Sequence, residues 1–504
     1  FVQRHDSCIC DTKPGILGCT TDGHYVQYKE GYWVGVINGV FTILPCPFGY
    51  CSCPKLPKHG TAISGCFYNV VNKTDVCANE RTGVLCGVCK ENYTVGIEAF
   101  RCVPRKQHTG CIATTVLSFI FTLLFCILIL YFNPGLDNEL RGPLFFFQVL
   151  PLFFPLVQYT TKGTINVYNF VFFLASIFDF TIPFFGFFFS KCYIIENQDN
   201  LDMLAWSYSS SVIALLVFLS ALLLTCKRVI LIRRKNAVQS FWVLLILMYS
   251  SLMRTSLRIV DCLLVQGKSL LFLQASVTCG KDKHLGLTIV AYIILILGII
   301  IPMLIIVATK TNRLKIAPHY LDTLTHNLKE TCVFWWSVDL LRRLLIVALC
   351  NLIHIWLEKQ VALILAATFI LSIHCYFQPY KETRANISEM IFLFVLSGLG
   401  VFQLLDIEEK QRDRTNLGIV CIMFAYTLIL VAIKLVVFVQ NRTKCAADDE
   451  YERISDEGST TRAIFPTTDK SLEERREKLA FLFSRSETPR LDEQTQNLTN
   501  NDAS

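Results

Sequence analysis

Residues 334–380 read FWWSVDLLRRLLIVALCNLIHIWLEKQVALILAATFILSIHCYFQPY, and the reading of this stretch decides the fold. Two apolar runs, 334–357 and 361–377, are separated only by Glu358, Lys359 and Gln360. Each is about as long as the ~20 residues a helix needs to cross a bilayer, so the stretch predicts a transmembrane hairpin. Its first helix keeps Asp339, Arg342 and Arg343, although a charge at mid-depth costs ~3 kcal/mol or more. Charges so placed face a bundle interior and pair, or, for the two arginines, stretch along the helix to the headgroups.

Outward from the hairpin lie further apolar runs: 111–132, 143–160, 168–190, 204–226, 241–265, 285–308, 387–405 and 417–440. A chain of 504 residues that is 53% hydrophobic and only 17% charged is not of the soluble globular class. Basic loops set the orientation. Residues 227–235 hold Lys227, Arg228, Arg233, Arg234 and Lys235 without an acid, and Lys310, Arg313, Lys315, Lys381 and Arg384 mark two more cytoplasmic loops. Alternation then places the Cys192 and Cys279 loops outside and the C-terminus inside. An outside N-terminus and an outside Cys192 loop require an even number of crossings between them, yet three runs lie there. One of 143–160 and 168–190 is therefore expected to be broken; they hold Pro143, Pro151, Pro155, Asp179 and Pro183. Interrupted helix is tolerated at membrane depth only where protein or a water cavity covers it. The expected fold class is an all-α polytopic membrane bundle of about nine crossings plus one broken segment.

The run 241–265 carries a second set of charges. Arg254, Arg258 and Asp261 fall on one helical face at offsets of four and three, set for a buried ion pair. A voltage sensor would need a longer arginine ladder than this. Ser207, Tyr208, Ser209, Ser210 and Ser211 form a stripe that reads as close helix packing. The net charge of +7 is spread over loops, so nucleic acid is not an expected partner. Phosphate-loop, zinc-protease and serine-hydrolase motifs are absent from the sequence. No catalytic residue, metal or cofactor is expected, and an enzyme is not indicated.

Residues 1–110 read as an extracellular region of another kind. Twelve of the 22 cysteines lie at or before Cys111: Cys8, Cys10, Cys19, Cys46, Cys51, Cys53, Cys66, Cys77, Cys86, Cys89, Cys102 and Cys111. Small exported modules without a large core are held by disulfides in this way. Zinc is the rival use, since Cys86 and Cys89 have ligand spacing. The sequons Asn72-Lys-Thr and Asn92-Tyr-Thr favour a glycosylated exported surface. Cys192 and Cys279, both in loops assigned outside, are expected to pair and clamp two helix hairpins. The alternation around Tyr25–Tyr28 and Tyr32 to Val36 predicts short strands with glycine turns. No charged n-region and apolar h-region follow Phe1, so the chain reads as a mature form or a fragment.

Two motif sets carry a resemblance. R-T-G-V-L-C-G-x-C-x-x-x-Y, from Arg81 to Tyr93, resembles the laminin- or EGF-like module (here about 66–111) that precedes the membrane domain in a group of uncharacterised invertebrate multi-pass proteins. Trp335 and Trp336 followed by Arg342 and Arg343, then Gln378-Pro-Tyr-Lys381, Asn386 and Glu389, resemble the membrane core of that group (here 111–440). More distantly they are similar to the fungal TRP-like membrane proteins. That resemblance implies cation flux or flavin transport.

The tail, 441–504, is mildly acidic, rich in Ser and Thr, and reads as disordered. Tyr451-Glu-Arg-Ile454 resembles a Tyr-x-x-apolar sorting signal. The expected function is a multi-pass surface membrane protein, a TRP-like cation channel or transporter. The alternative is a receptor or adhesion protein that binds through its Cys-rich head. Expected partners are membrane lipids, an extracellular ligand and a cytoplasmic adaptor on the tail; the sequence leaves the oligomeric state open.

Overall fold

The helix Arg234–Val260 and the helix Asp282–Lys310 run antiparallel, and between them the chain leaves helical geometry for a small sheet. These elements come from a computed structural model that describes chiefly residues 15–54, 65–105, 138–153, 199–220, 234–310, 327–405 and 411–436, with short gaps. The chain forms two compact units, Phe1–Leu430 and Val431–Ser504, and the Cys-rich region and the helix bundle both belong to the first. Cys10, Cys111, Asp179, Cys192, Tyr451 and Ile454 lie outside the described residues, and for Cys8 only the strand backbone is described.

In chain order the helices are α1 (Asn138–Phe153), α2 (Asn200–Ser207), α3 (Arg234–Val260), α4 (Asp282–Lys310), α5 (Trp335–Leu352), α6 (Trp356–Phe377), α7 (Thr383–Leu404) and α8 (Arg414–Ile433). Among the described residues, five helical segments are long and apolar enough to cross a membrane: Trp242–Val260, Asp282–Leu304, and α6, α7 and α8. The composition of α4 shows what it is built to touch. Ile289, Ile293, Ile296, Ile300 and Leu304 all point outward, a face that suits lipid and not water. The interior lies among α1, α3, α5, α6 and α7, with Phe145, Phe146, Phe147, Trp335, Trp336 and Phe392 fully buried. Two glycines set the closest approaches. A Cβ on Gly142 would lie 3.0 Å from the Glu389 Cα, and one on Gly400 would lie 2.6 Å from Ile364 Cγ1.

The hairpin of 334–380 is present, but its turn is displaced from the expected position. The break falls at Ile353, His354 and Ile355, while Glu358, Lys359 and Gln360 lie in the first turns of α6. Gln360 is fully buried there and donates to the Phe153 carbonyl at 3.2 Å, so it belongs to the bundle and not to the loop.

The run 241–265 is likewise not helical throughout. α3 stops at Val260 and Cys262–Val265 is a strand (β6 below). The cause is local: Gln266 and Gly267 both have positive φ, 48° and 80°, the backbone of a tight hairpin turn that glycine favours at its second position.

The Cys-rich region carries β1 (Ile16–Cys19), β2 (Tyr25–Tyr28), β3 (Tyr32–Ile37), β4 (Val40–Pro45) and β5 (Cys66–Asn69). β1, β2 and β5 form one antiparallel sheet, and β3 pairs with β4 around Asn38-Gly39, another turn with both φ values positive. The inter-helix sheet is β6 (Cys262–Val265), β7 (Lys268–Leu271) and β8 (Gln274–Thr278). The two share one core, with Tyr28, Trp33, Tyr50, Tyr68 and Leu85 packed with Phe272 and Ala275.

Among the described residues, four disulfides tie the Cys-rich region: Cys46–Cys51, Cys53–Cys66, Cys77–Cys86 and Cys89–Cys102. Cys19 is also disulfide-bonded. Cys86 and Cys89 thus go to sulfur partners and not to a zinc site. The expected Cys192–Cys279 clamp is not formed, because Cys279 bonds to Cys262 and closes the β6–β8 sheet on itself. The sequon residues Asn72 and Asn92 are both exposed in turns.

Candidate functional site

The charges that the sequence singled out in 334–357 converge on one buried cluster. α5 puts Asp339, Arg342 and Arg343 on a single face, since offsets of three and four return to the same side of a helix. Asp339 Oδ1 accepts from Arg342 Nε at 2.8 Å, and Asp339 Oδ2 from Arg343 Nη2 at 3.3 Å. Arg342 then reaches across to α7, where Nη1 pairs with Glu389 Oε1. Arg343 reaches to α1, donating from Nη1 to Gln148 Oε1. Both guanidinium groups are held over the Phe145 ring, at 4.3 and 5.2 Å from its centroid. Asp339, Arg342, Arg343 and Glu389 are at most 3% exposed, so neither arginine stretches to a surface.

Glu389 has further neighbours. Tyr380, in the link between α6 and α7, donates its hydroxyl to Glu389 Oε2. His374 Nδ1 stands 3.6 Å from Glu389 Oε1, near enough to feel its charge and too far for a hydrogen bond. Asn386 fixes the link from beneath, accepting from the Tyr380 N–H at 3.1 Å and donating to its carbonyl at 2.9 Å. Gln148 carries the network onward to α3: its Nε2 donates to the Leu247 carbonyl at 3.3 Å, and its own carbonyl accepts from Arg254 at 3.3 Å. Four helices meet in this network.

Two carboxylates are paired with two guanidinium groups, and a third buried guanidinium, that of Arg141 on α1, also acts on Asp339; such pairing is what lets charge stand in an apolar interior. Removing one member leaves its partner buried and unmatched, at a cost of roughly 3–5 kcal/mol. The hydroxyls of Ser337 and Ser388 and both ring nitrogens of His374 are buried there without hydrogen-bond partners. The cluster therefore has unused donors and acceptors beside its charges.

The second charge set is arranged differently from its sequence reading. Asp261 follows α3 and lies 3.3 Å from His354 Nε2, in the α5–α6 turn. Arg258 donates to Asn351 Oδ1 at 3.3 Å. Phe272, at the turn from β7 to β8, stacks on His354 with ring centroids 4.0 Å apart. These contacts connect the Cys-rich region to the α5–α6 hairpin, because β6–β8 is also where that region is seated. Asn38 Nδ2 donates to Gln266 Oε1 at 2.9 Å, Gln266 Nε2 to the Ile37 carbonyl at 2.8 Å, and Asn200 Nδ2 to the Leu273 carbonyl at 2.7 Å. Gly87 packs so closely on β8 that a Cβ there would be 2.8 Å from the Ala275 nitrogen.

Within the seat, Arg81 is stacked 3.6 Å over the Tyr50 ring and donates to the Cys86 carbonyl. Burial pushes the Tyr50 hydroxyl up from its ordinary pKa against the pull of Arg81 and Arg258, and pushes Arg81 down. Cys262, Cys279 and His284 also come together, but the two sulfurs are bonded to each other. His284 is occupied as well, with Nε2 on the Ile259 carbonyl and Nδ1 accepting from Gly280.

No family model, curated protein or solved structure matches this chain. The resemblance to the invertebrate group and to the TRP-like proteins rests on its motifs alone. Sequence reading missed Glu389 as a partner of Arg342, although Glu389 stood in the Asn386-x-x-Glu389 motif. It also missed Gln148 and His354, whose roles depend on which helices become neighbours.

Proposed function

We propose that this chain is a multi-pass membrane transport protein, of channel or transporter type, in which the α1–α5–α7 cluster is the switch that holds the pathway shut. The observation that carries this reading is the ion-paired set Asp339, Arg342, Arg343 and Glu389, buried with Arg141 where α1, α5 and α7 meet. In the closed arrangement the arginines occupy both carboxylates. A cation or proton taken up by Asp339 or Glu389 weakens their hold on the arginines and frees the helices to part. Five apolar helices with an outward apolar face are compatible with this setting.

The geometry also supports the crossing count read from the sequence. α1 ends at Phe153 beside Gln360, at the same end of the bundle where Asn200 at the start of α2 meets Gly87 and Leu273. A nine-crossing bundle with the Cys-rich region outside requires an even number of crossings between those two points.

A receptor is the second reading, favoured by the continuous contact from the Cys-rich region through Phe272 and His354 to Asp261. Recording current and substrate uptake from the purified chain in liposomes separates the two. Transport predicts flux from the parent chain that Asp339→Asn alters per reconstituted molecule. Normal expression with no flux in any variant overturns it and leaves the receptor.

A further inference from the structure

Helix register brings three buried amides to one level at the end of the bundle that carries the Cys-rich region. α6 and α7 are antiparallel, with His374 beside Glu389 and Ile364 against Gly400. Each residue back along α6 is a residue forward along α7, so Gln360 stands opposite Gln403. α7 and α8 pair in the same way. Phe392 stacks on Tyr426 at 5.8 Å, and counting outward from that contact puts Asn416 opposite Gln403. Asn416 also continues the buried stripe of Val420, Met423 and Thr427 on α8. Gln360, Gln403 and Asn416 are 0%, 4% and 1% exposed.

All three amides are under-used. Gln360 Nε2 is held by the Phe153 carbonyl, which leaves its Oε1 without a partner. Gln403 and Asn416 have no hydrogen-bond partner at either amide atom. A buried polar group left unsatisfied is strongly disfavoured, and well-packed cores avoid even one. The level is also distinct from the ionic cluster. His374 and Glu389 lie about four helical turns, or about 21 Å, from Gln360 and Gln403 along the same seam. Leu363, Ala367, Ile370, Leu396 and Leu399 fill the seam between and are buried.

We infer that Gln360, Gln403 and Asn416 form a binding site for a small neutral solute bearing both hydrogen-bond donors and acceptors, of the amide or polyol class. The three amide oxygens accept and the two free amide nitrogens donate, so such a solute satisfies every orphaned atom. A cation would use the oxygens and leave two N–H₂ groups buried and unpaired. An anion would leave the three amide oxygens without donors. The site lies close to the helix ends, with Gln360 in the second turn of α6 and Gln403 one residue before the end of α7. It does not depend on the transport reading, since a receptor would use the same pocket for its ligand.

Saturation-transfer NMR on the full chain in lipid nanodiscs tests this, with acetamide and glycerol as the solutes and sodium line broadening as the cation control. The expected result is transfer to acetamide or glycerol that falls at least tenfold in Gln403→Met and in Asn416→Leu, with no sodium broadening that depends on these residues. Both variants remove orphaned groups and are expected to fold at least as well as the parent. The parent spectrum decides alone if they do not. Absence of transfer to either solute, equal transfer in the folded variants, or sodium broadening that the variants abolish overturns the assignment.

Discussion

Arg342 shows how one side chain acquires three constraints. It lies three residues from Asp339, faces Glu389 across α7, and rests on the Phe145 ring. Arginine suits this place and lysine would not, because a planar fork serves two carboxylates at once while stacking on an aromatic face. At the opposite end of the unit, buried tyrosines set a titration limit. Burial raises the hydroxyl pKa of Tyr28 and of Tyr50 above the ordinary tyrosine value. A group whose folded pKa is raised gives its full stability below the unfolded pKa and loses it as pH rises. The Cys-rich region is therefore expected to hold through neutral pH and to loosen above about pH 10, together with a late rise in tyrosinate absorbance. Tyrosinate that appears fully near pH 10 with the fold intact would contradict the burial argument.

At the scale of elements, the seat of β1–β5 on β6–β8 depends on close backbone approach at Gly87. Gly87→Ala sets a methyl 2.8 Å from the Ala275 nitrogen, so the two backbones must separate, at a cost of roughly 1–3 kcal/mol. The expected outcome is faster proteolysis within residues 15–105 and lower surface expression; unchanged proteolysis would contradict the seating. Much of the element scale was legible beforehand. The 334–380 hairpin and the grouping of Asp339, Arg342 and Arg343 follow from hydrophobic run length and helical offset. The end of α3 did not, because Cys262–Val265 is as apolar as a helix and only the Gln266-Gly267 turn distinguishes it. Glu389 was visible as a motif residue, but its bond to Arg342 spans 47 positions and depends on α5 and α7 becoming neighbours. Spacing could not assign Cys279 either: the sheet brings Cys262 to it across 17 residues, and Cys192 was the more obvious candidate by topology.

At the scale of the molecule, the proposed arrangement makes the Cys-rich region and β6–β8 a single outer assembly clasped to alternate helix ends. Epitope tags in 227–233 and in the tail are expected to be protected in intact cells, and a tag near Gln198 to be accessible. Protection at Gln198 would break the parity between Phe153 and Asn200. In the proposed arrangement a buried ionic cluster joins α5 to α7 and controls what the bundle does. The most direct measurement is a charge exchange: Arg342→Glu, Glu389→Arg and the double variant, each assayed for surface expression and for flux in liposomes. Each single change leaves like charges facing one another in the core, and surface expression is expected to fall at least tenfold. The double variant restores the pair between α5 and α7 but leaves two carboxylates side by side at 339 and 342, so it is expected to recover part of that expression and to conduct with altered rate. Single variants that express and conduct as the parent does, or a double variant no better than the worse single, would contradict the account.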